Sequence, residues 1–129
     1  MVAALAGTKE PIPPAELDKM TEDFWQLLLN TNLVGPFRCS KAAAPALTKS
    51  GGAIVNMASV AGVSTQGSSL VYSATKSGVV SLTRSLARGL GPAVRVNAVA
   101  PGQVATGWTE TWSEEQKQEA IDNAVLNRR

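Results

Sequence analysis

Histidine is absent from this 129-residue chain, and cysteine, tyrosine and phenylalanine are scarce, with one Cys, one Tyr and two Phe. Without histidine, the commonest metal ligand and the commonest general base are both missing. Zinc hydrolases and Ser-His-Asp hydrolases are excluded on that ground. The single Cys39 excludes an internal disulfide framework and reads only as a residue packed within a helix. No apolar run approaches the ~20 residues that span a bilayer. Met1–Gly7 lacks the basic start and the long apolar stretch of a signal peptide. The expectation is a soluble cytoplasmic protein with no membrane partner.

Acidic residues are missing from the whole middle of the chain. Between Phe24 and Thr109 there is no Asp or Glu, but seven basic residues: Arg38, Lys41, Lys49, Lys76, Arg84, Arg88 and Arg95. Such a field suits an anionic ligand such as a phosphorylated cofactor; scattered solvated side chains are the simpler explanation. The basic residues form no stripe with interleaved aromatics, so no nucleic-acid partner is expected. What is present is enough for a core. The chain is 44% hydrophobic and 17% charged, which fits one small domain over residues 1–129.

Residues 7–20, with three prolines and no apolar period, read as a loop with at most a short helical turn. Thr21-Glu22-Asp23 starts a helix with a hydroxyl cap and acids in its first turn. Apolar residues then recur at helical spacing to Leu47, and Gly51-Gly52 ends the helix. Ala53–Ala58 is a mostly apolar run that suits a strand buried on both faces. A Gly/Ser/Thr-rich loop leads to a second helix over about 70–90, stopped by Gly89 and Gly91-Pro92. Val94–Val99 forms a second strand, closed by Pro101-Gly102. Strand, helix, strand is a βαβ unit, and so a parallel pair. Ser113 with Gln116 makes a capping box for a third helix over about 113–127. The fold class is α/β with a very small sheet.

Four features carry chemistry. Tyr72 and Lys76 lie four apart on one helix face. A nearby ammonium favours the phenolate, which makes a tyrosine a usable proton carrier for alcohol–ketone chemistry. Ser59 follows the first strand at its carboxyl end, where parallel sheets place ligands, and a serine satisfying a turn is the alternative. Asn32 sits on an apolar helix face, and Pro36, lacking an N–H, deprives its carbonyl of the helical bond. A bend follows, with a carbonyl open to a water, an ammonium or plain solvent. Finally, the segment Pro101–Thr106 follows the second strand, where Gly102 permits close approach to the backbone. Thr106 there is placed to bond an amide, or simply to complete a turn.

Together these strings resemble the short-chain dehydrogenase/reductase family. They are Asn32-Leu33-Val34-Gly35-Pro36-Phe37, Gly52-Ala53-Ile54-Val55-Asn56-Met57-Ala58-Ser59 and Tyr72-Ser73-Ala74-Thr75-Lys76. Arg95-Val96-Asn97 and Pro101-Gly102 with Val104 and Thr106 complete the series. The resemblance implies a Rossmann-like doubly wound parallel sheet, here incomplete, and hydride transfer between NAD or NADP and a small alcohol or ketone. By the same resemblance Asn32, Ser59, Tyr72 and Lys76 form a catalytic tetrad. Tyr72 is the acid/base, and Ser59 polarises the carbonyl. Lys76 binds the nicotinamide ribose, while the Asn32 carbonyl holds a relay water. Tyr72, Lys76, Pro101, Gly102, Val104 and Thr106 contact the cofactor, and Ser59 and Tyr72 the substrate. The family also pairs its corresponding helices across a two-fold axis, which implies a homo-oligomer through helices 22–49 and 70–90.

The departures are equally definite. No Gly-x-x-x-Gly-x-Gly cradle for a pyrophosphate occurs, and of the family's Asn-Asn-Ala-Gly only Ala6-Gly7 fits. The expectation is the catalytic part of a longer enzyme. The alternative is a remnant without turnover that acts only by self-association. The sugar-nucleotide epimerase branch shares Tyr-x-x-x-Lys, but the Pro-Gly-x-Val-x-Thr segment and the close Ser59–Tyr72 spacing argue for the dehydrogenase side. Trp108 and Trp112, four apart, fit substrate contact or ordinary packing equally.

Overall fold

A computed structural model of the chain describes residues 12–64, 68–104, 109–110 and 112–122. Thr21 caps the first helix as its sequence requires: its hydroxyl accepts the N–H of Phe24 at 3.3 Å. Helix α1 spans Glu22–Leu28 and helix α2 spans Gly35–Ser50. The single helix expected over this region is interrupted by a π turn at Leu29–Val34. Pro36 is the physical reason. It has no N–H to return to residue 32, and the chain widens by one residue so that the Gly35 N–H bonds the carbonyl of Asn30. At the far end Gly51 adopts a left-handed conformation with φ of 66° and closes α2.

Strand β1 (Ala53–Met57) and strand β2 (Arg95–Val99) pair in parallel, Ala53 opposite Arg95 through Met57 opposite Val99. The pairing continues past the strands, with the Ala58 N–H on the Val99 carbonyl at 2.8 Å and the Val60 N–H on the Pro101 carbonyl at 2.9 Å. Helix α3 (Leu70–Leu90) is the crossover. The hydroxyl of buried Ser69 caps it by accepting the Tyr72 N–H at 3.2 Å. Its inner stripe, Val71, Thr75, Val79 and Thr83, is buried at four-residue spacing. Ser113 and Gln116 cap helix α4 (Glu114–Asp122) reciprocally, at 2.9 and 3.2 Å. The expected extension to residue 127 lies outside the described residues.

Both long helices serve one face of the sheet. Ile54, Val94 and Val96 pack with Leu47 of α2 and with Leu86, Ala87 and Leu90 of α3. The opposite face corrects the sequence expectation. Ala53, Val55 and Met57 are only half-buried, and Val99 is 50% exposed. The apolar composition of β1 suits burial on both sides, but no second layer among the described residues covers that side. Cys39, expected to be packed, is exposed on α2.

Candidate active site

The carboxyl ends of β1 and β2 carry the candidate residues. Ser59 begins a one-turn 3-10 helix at Val60–Gly62, and its Oγ accepts the Ala61 N–H at 3.2 Å. The serine therefore does satisfy a turn. With its oxygen engaged as an acceptor, its O–H remains available to donate.

Three consecutive residues of α3 fasten three different elements. Thr75 accepts the Nδ2 of Asn32 at 3.2 Å. The Nζ of Lys76 donates to the carbonyl oxygen of Met57 at 2.9 Å. The Ser77 hydroxyl donates to the Gly62 carbonyl at 2.8 Å. The π turn, the end of β1 and the Ser59 turn thus converge on the second turn of α3. Gly62 is needed for this: a Cβ there would stand 2.6 Å from the Lys76 carbonyl carbon.

Lys76 is 4% exposed and is the one buried ionisable side chain among the described residues. Burial pushes its ammonium below the ordinary lysine range. Its Nζ sits over the Tyr72 ring, 5.6 Å from the centroid. The Tyr72 ring is half-buried against a small core of Met20, Leu28 and Val71, on which Phe24 and Trp25 also pack. Asn32 is 2% exposed, and its Oδ1 has no partner among the described residues.

Pro101 lies beside Val60 through the bond already given, so its segment leaves β2 on the same edge as Ser59. Gly102 and Val104 are exposed, and Thr106 and Trp108 lie outside the described residues. Trp112 is half-buried, with its N–H on the Thr109 carbonyl at 3.3 Å. Gln103, which no sequence motif singles out, has both amide atoms buried and unpartnered among the described residues. Such a group is costly unless something pairs with it. Thr75 too is invisible in the sequence as a site residue, since its partner Asn32 lies 43 positions away.

A model of the short chain dehydrogenase family matches residues 2–117. Among similar proteins, a Streptomyces violaceoruber protein described as ketoacyl reductase 2 of the granaticin polyketide synthase is 44% identical over 106 residues. That match covers 81% of this chain and 43% of the relative. The short-chain dehydrogenase/reductase homolog YusR of Bacillus subtilis is 46% identical over 94 residues, 71% of this chain and 70% of that one. The crystal structure of a 3-oxoacyl-[acyl-carrier protein] reductase with bound NAD from Brucella melitensis superimposes with a TM-score of 0.80 at 32% identity. It covers 98% of this chain, which spans 48% of that structure. The chain thus spans under half the length of two of these three relatives. With the parallel pair, the crossover helix and a family match over most of its length, the chain belongs to the short-chain dehydrogenase/reductase family.

Proposed function

We propose that the chain carries the Ser59–Tyr72–Lys76–Asn32 site of an NAD(P)-dependent oxidoreductase that interconverts a small-molecule ketone and alcohol. The observation that carries this reading is the buried Lys76 ammonium set over the ring of the one tyrosine in the chain. A bound nicotinamide supplies or accepts the hydride. The residues present fit its ring end: the donor and acceptor of Gln103, unpartnered among the described residues, match a carboxamide, and Lys76 offers a desolvated cation. On this reading Tyr72 gives its phenolic proton to the substrate oxygen, or takes one back in the reverse direction. The Lys76 ammonium stands 5.6 Å from the centroid of that ring. Ser59, its oxygen already engaged by Ala61, donates its O–H to the same substrate oxygen. Asn32 belongs to the wall behind the pair, through Thr75.

The ketoacyl and 3-oxoacyl reductases among the relatives point to a 3-oxoacyl group as substrate. The test is oxidation of NADH or NADPH by the purified chain with a 3-oxoacyl thioester. Turnover that needs the thioester supports the reading, and none with either cofactor sinks it. No described helix is long and apolar enough to cross a membrane, which is compatible with the cytoplasmic setting we propose.

A second reading, action through self-association, draws on exposed side chains of the helices. Leu27 and Phe37 are exposed at 59% and 44%, and Ala74, Ser77, Ser81 and Ser85 form an exposed row of small residues on α3. Gly78 is not part of it, because a Cβ there would meet Leu33 of the same chain at 3.0 Å.

A further inference from the structure

Two buried threonines of α3 receive asparagine amides from other elements. Thr83 accepts Nδ2 of Asn56, from β1, at 2.9 Å and donates to the Val79 carbonyl at 2.7 Å. Thr75 accepts Nδ2 of Asn32, from the π turn, at 3.2 Å and donates to the Tyr72 carbonyl at 2.8 Å. Eight residues apart, the two lie on one helix face about two turns from each other. Their chemistry is the same, and their surroundings differ. Thr83 stands beside Asn56 of β1, seven residues along α3 from Lys76, whereas Thr75 stands between Tyr72 and Lys76.

Thr75 is wholly buried. A threonine hydroxyl has one hydrogen, which goes to Tyr72, so the Asn32 amide takes up its oxygen. The Asn32 Oδ1 has no partner among the described residues, so the bond to Thr75 is what orients that side chain. The two reacting groups are held from opposite sides. The Tyr72 ring packs against the cluster that includes Leu28 of α1, while the Lys76 ammonium is tied to Met57 at the end of β1. Their separation is set by where α3 sits between these elements, and Thr75–Asn32 is the buried polar link that fixes α3 against the π turn.

We propose that Thr75 is a positioning residue: its paired bonds to Asn32 and to the Tyr72 carbonyl hold the Tyr72 ring over the Lys76 ammonium. Its catalytic consequence rests on the oxidoreductase reading; the geometry itself is measured without turnover.

The test is nuclear magnetic resonance of the full chain with its six lysines labelled at the ε carbon. The Tyr72 ring displaces the Lys76 ε-methylene signal from those of solvated lysines, and Lys76→Arg assigns it by its disappearance. Thr75→Val, of the same shape, is expected to abolish the displacement. Thr75→Ser, which keeps the hydroxyl, is expected to restore it, and Thr83→Val to leave it in place. If Thr75→Val does not fold, Asn32→Leu removes the same bond from the other side and is expected to behave alike. Survival of the displacement in the folded variant overturns the proposal, as does its loss in Thr83→Val. Failure of both Thr75→Val and Asn32→Leu to fold also overturns it, since the pair then holds the fold and not the site. A chain that shows the displacement but no turnover leaves this inference standing and removes the oxidoreductase reading.

Discussion

The Lys76 ammonium bonds the carbonyl oxygen of Met57 at 2.9 Å, so a buried cation is tied to a strand end and not to an acid. The resemblance gives the main-chain carbonyl of Asn32 a relay water, and the side chain of the same residue bonds Thr75. A neutral carbonyl repays only part of the desolvation of an ammonium, which is why burial lowers the proton affinity of Lys76.

That cost makes stability depend on pH. The folded chain releases the Lys76 proton below the ordinary lysine range, and the unfolded chain keeps it up to that range. Between the two the unfolded state binds more protons, so this group makes stability rise with pH. Urea midpoints measured at neutral and at alkaline pH should climb more in the native chain than in Lys76→Met. Equal slopes would remove the argument.

Tyr72→Phe keeps the ring and its packing but removes the exchangeable proton. On the proposed mechanism, turnover falls by at least ~10²-fold, the usual scale of acid–base catalysis, with the circular dichroism spectrum unchanged. Full activity in this variant would refute the assignment.

The Asn56–Thr83 bond is buried at both ends. Thr83→Val strands the Asn56 amide and should cost about 1–3 kcal/mol in a denaturant titration. Adding Asn56→Leu removes the stranded group, so the double variant should recover part of the loss. Strict additivity of the two single changes would show that the bond couples nothing.

Two glycines should respond in opposite senses. An alanine at Gly89 meets nothing within 4 Å and lies inside α3, so Gly89→Ala should add about 0.5–1 kcal/mol. Gly62→Ala drives a methyl into the Lys76 backbone and should cost roughly 1–3 kcal/mol. It should also depress any turnover, by lifting the Ser59 turn off α3. A tolerated Gly62→Ala would mean that this turn is not held where it is described.

Ser81 is exposed on the small-residue row of α3. If that row pairs between copies, light scattering reports a dimer or larger species at tens of micromolar, and Ser81→Arg shifts it toward the 13.4 kDa monomer. A monomer in the native chain ends the self-association reading.

The parts legible in the sequence are those fixed by local chemistry. Thr21, the Ser113–Gln116 pair and the bounds of α3 follow from caps and breakers within a few residues, and the structure reproduces them. The place of the bend follows from Pro36, but not the form it takes, because a π turn and a solvated kink both accommodate the missing N–H. Thr75 and Thr83 look like ordinary helix residues, and their asparagines lie 43 and 27 positions away. The half-open sheet is hidden from the sequence for a related reason. Residue composition reports what a strand can bury, while actual burial depends on a layer that another segment must supply.

The π turn also sets the angular phase of everything after it. One added residue turns the following helix by about 100° relative to an unbroken one. Leu47 packs on the Ile54 core with that offset in place. The turn absorbs one residue, so deleting a single residue within 29–34 would straighten the helix and keep Leu47 in phase with β1, whereas an unbroken α-helix of the full sequence would swing it away. This short stretch governs α2 as a cam governs a shaft.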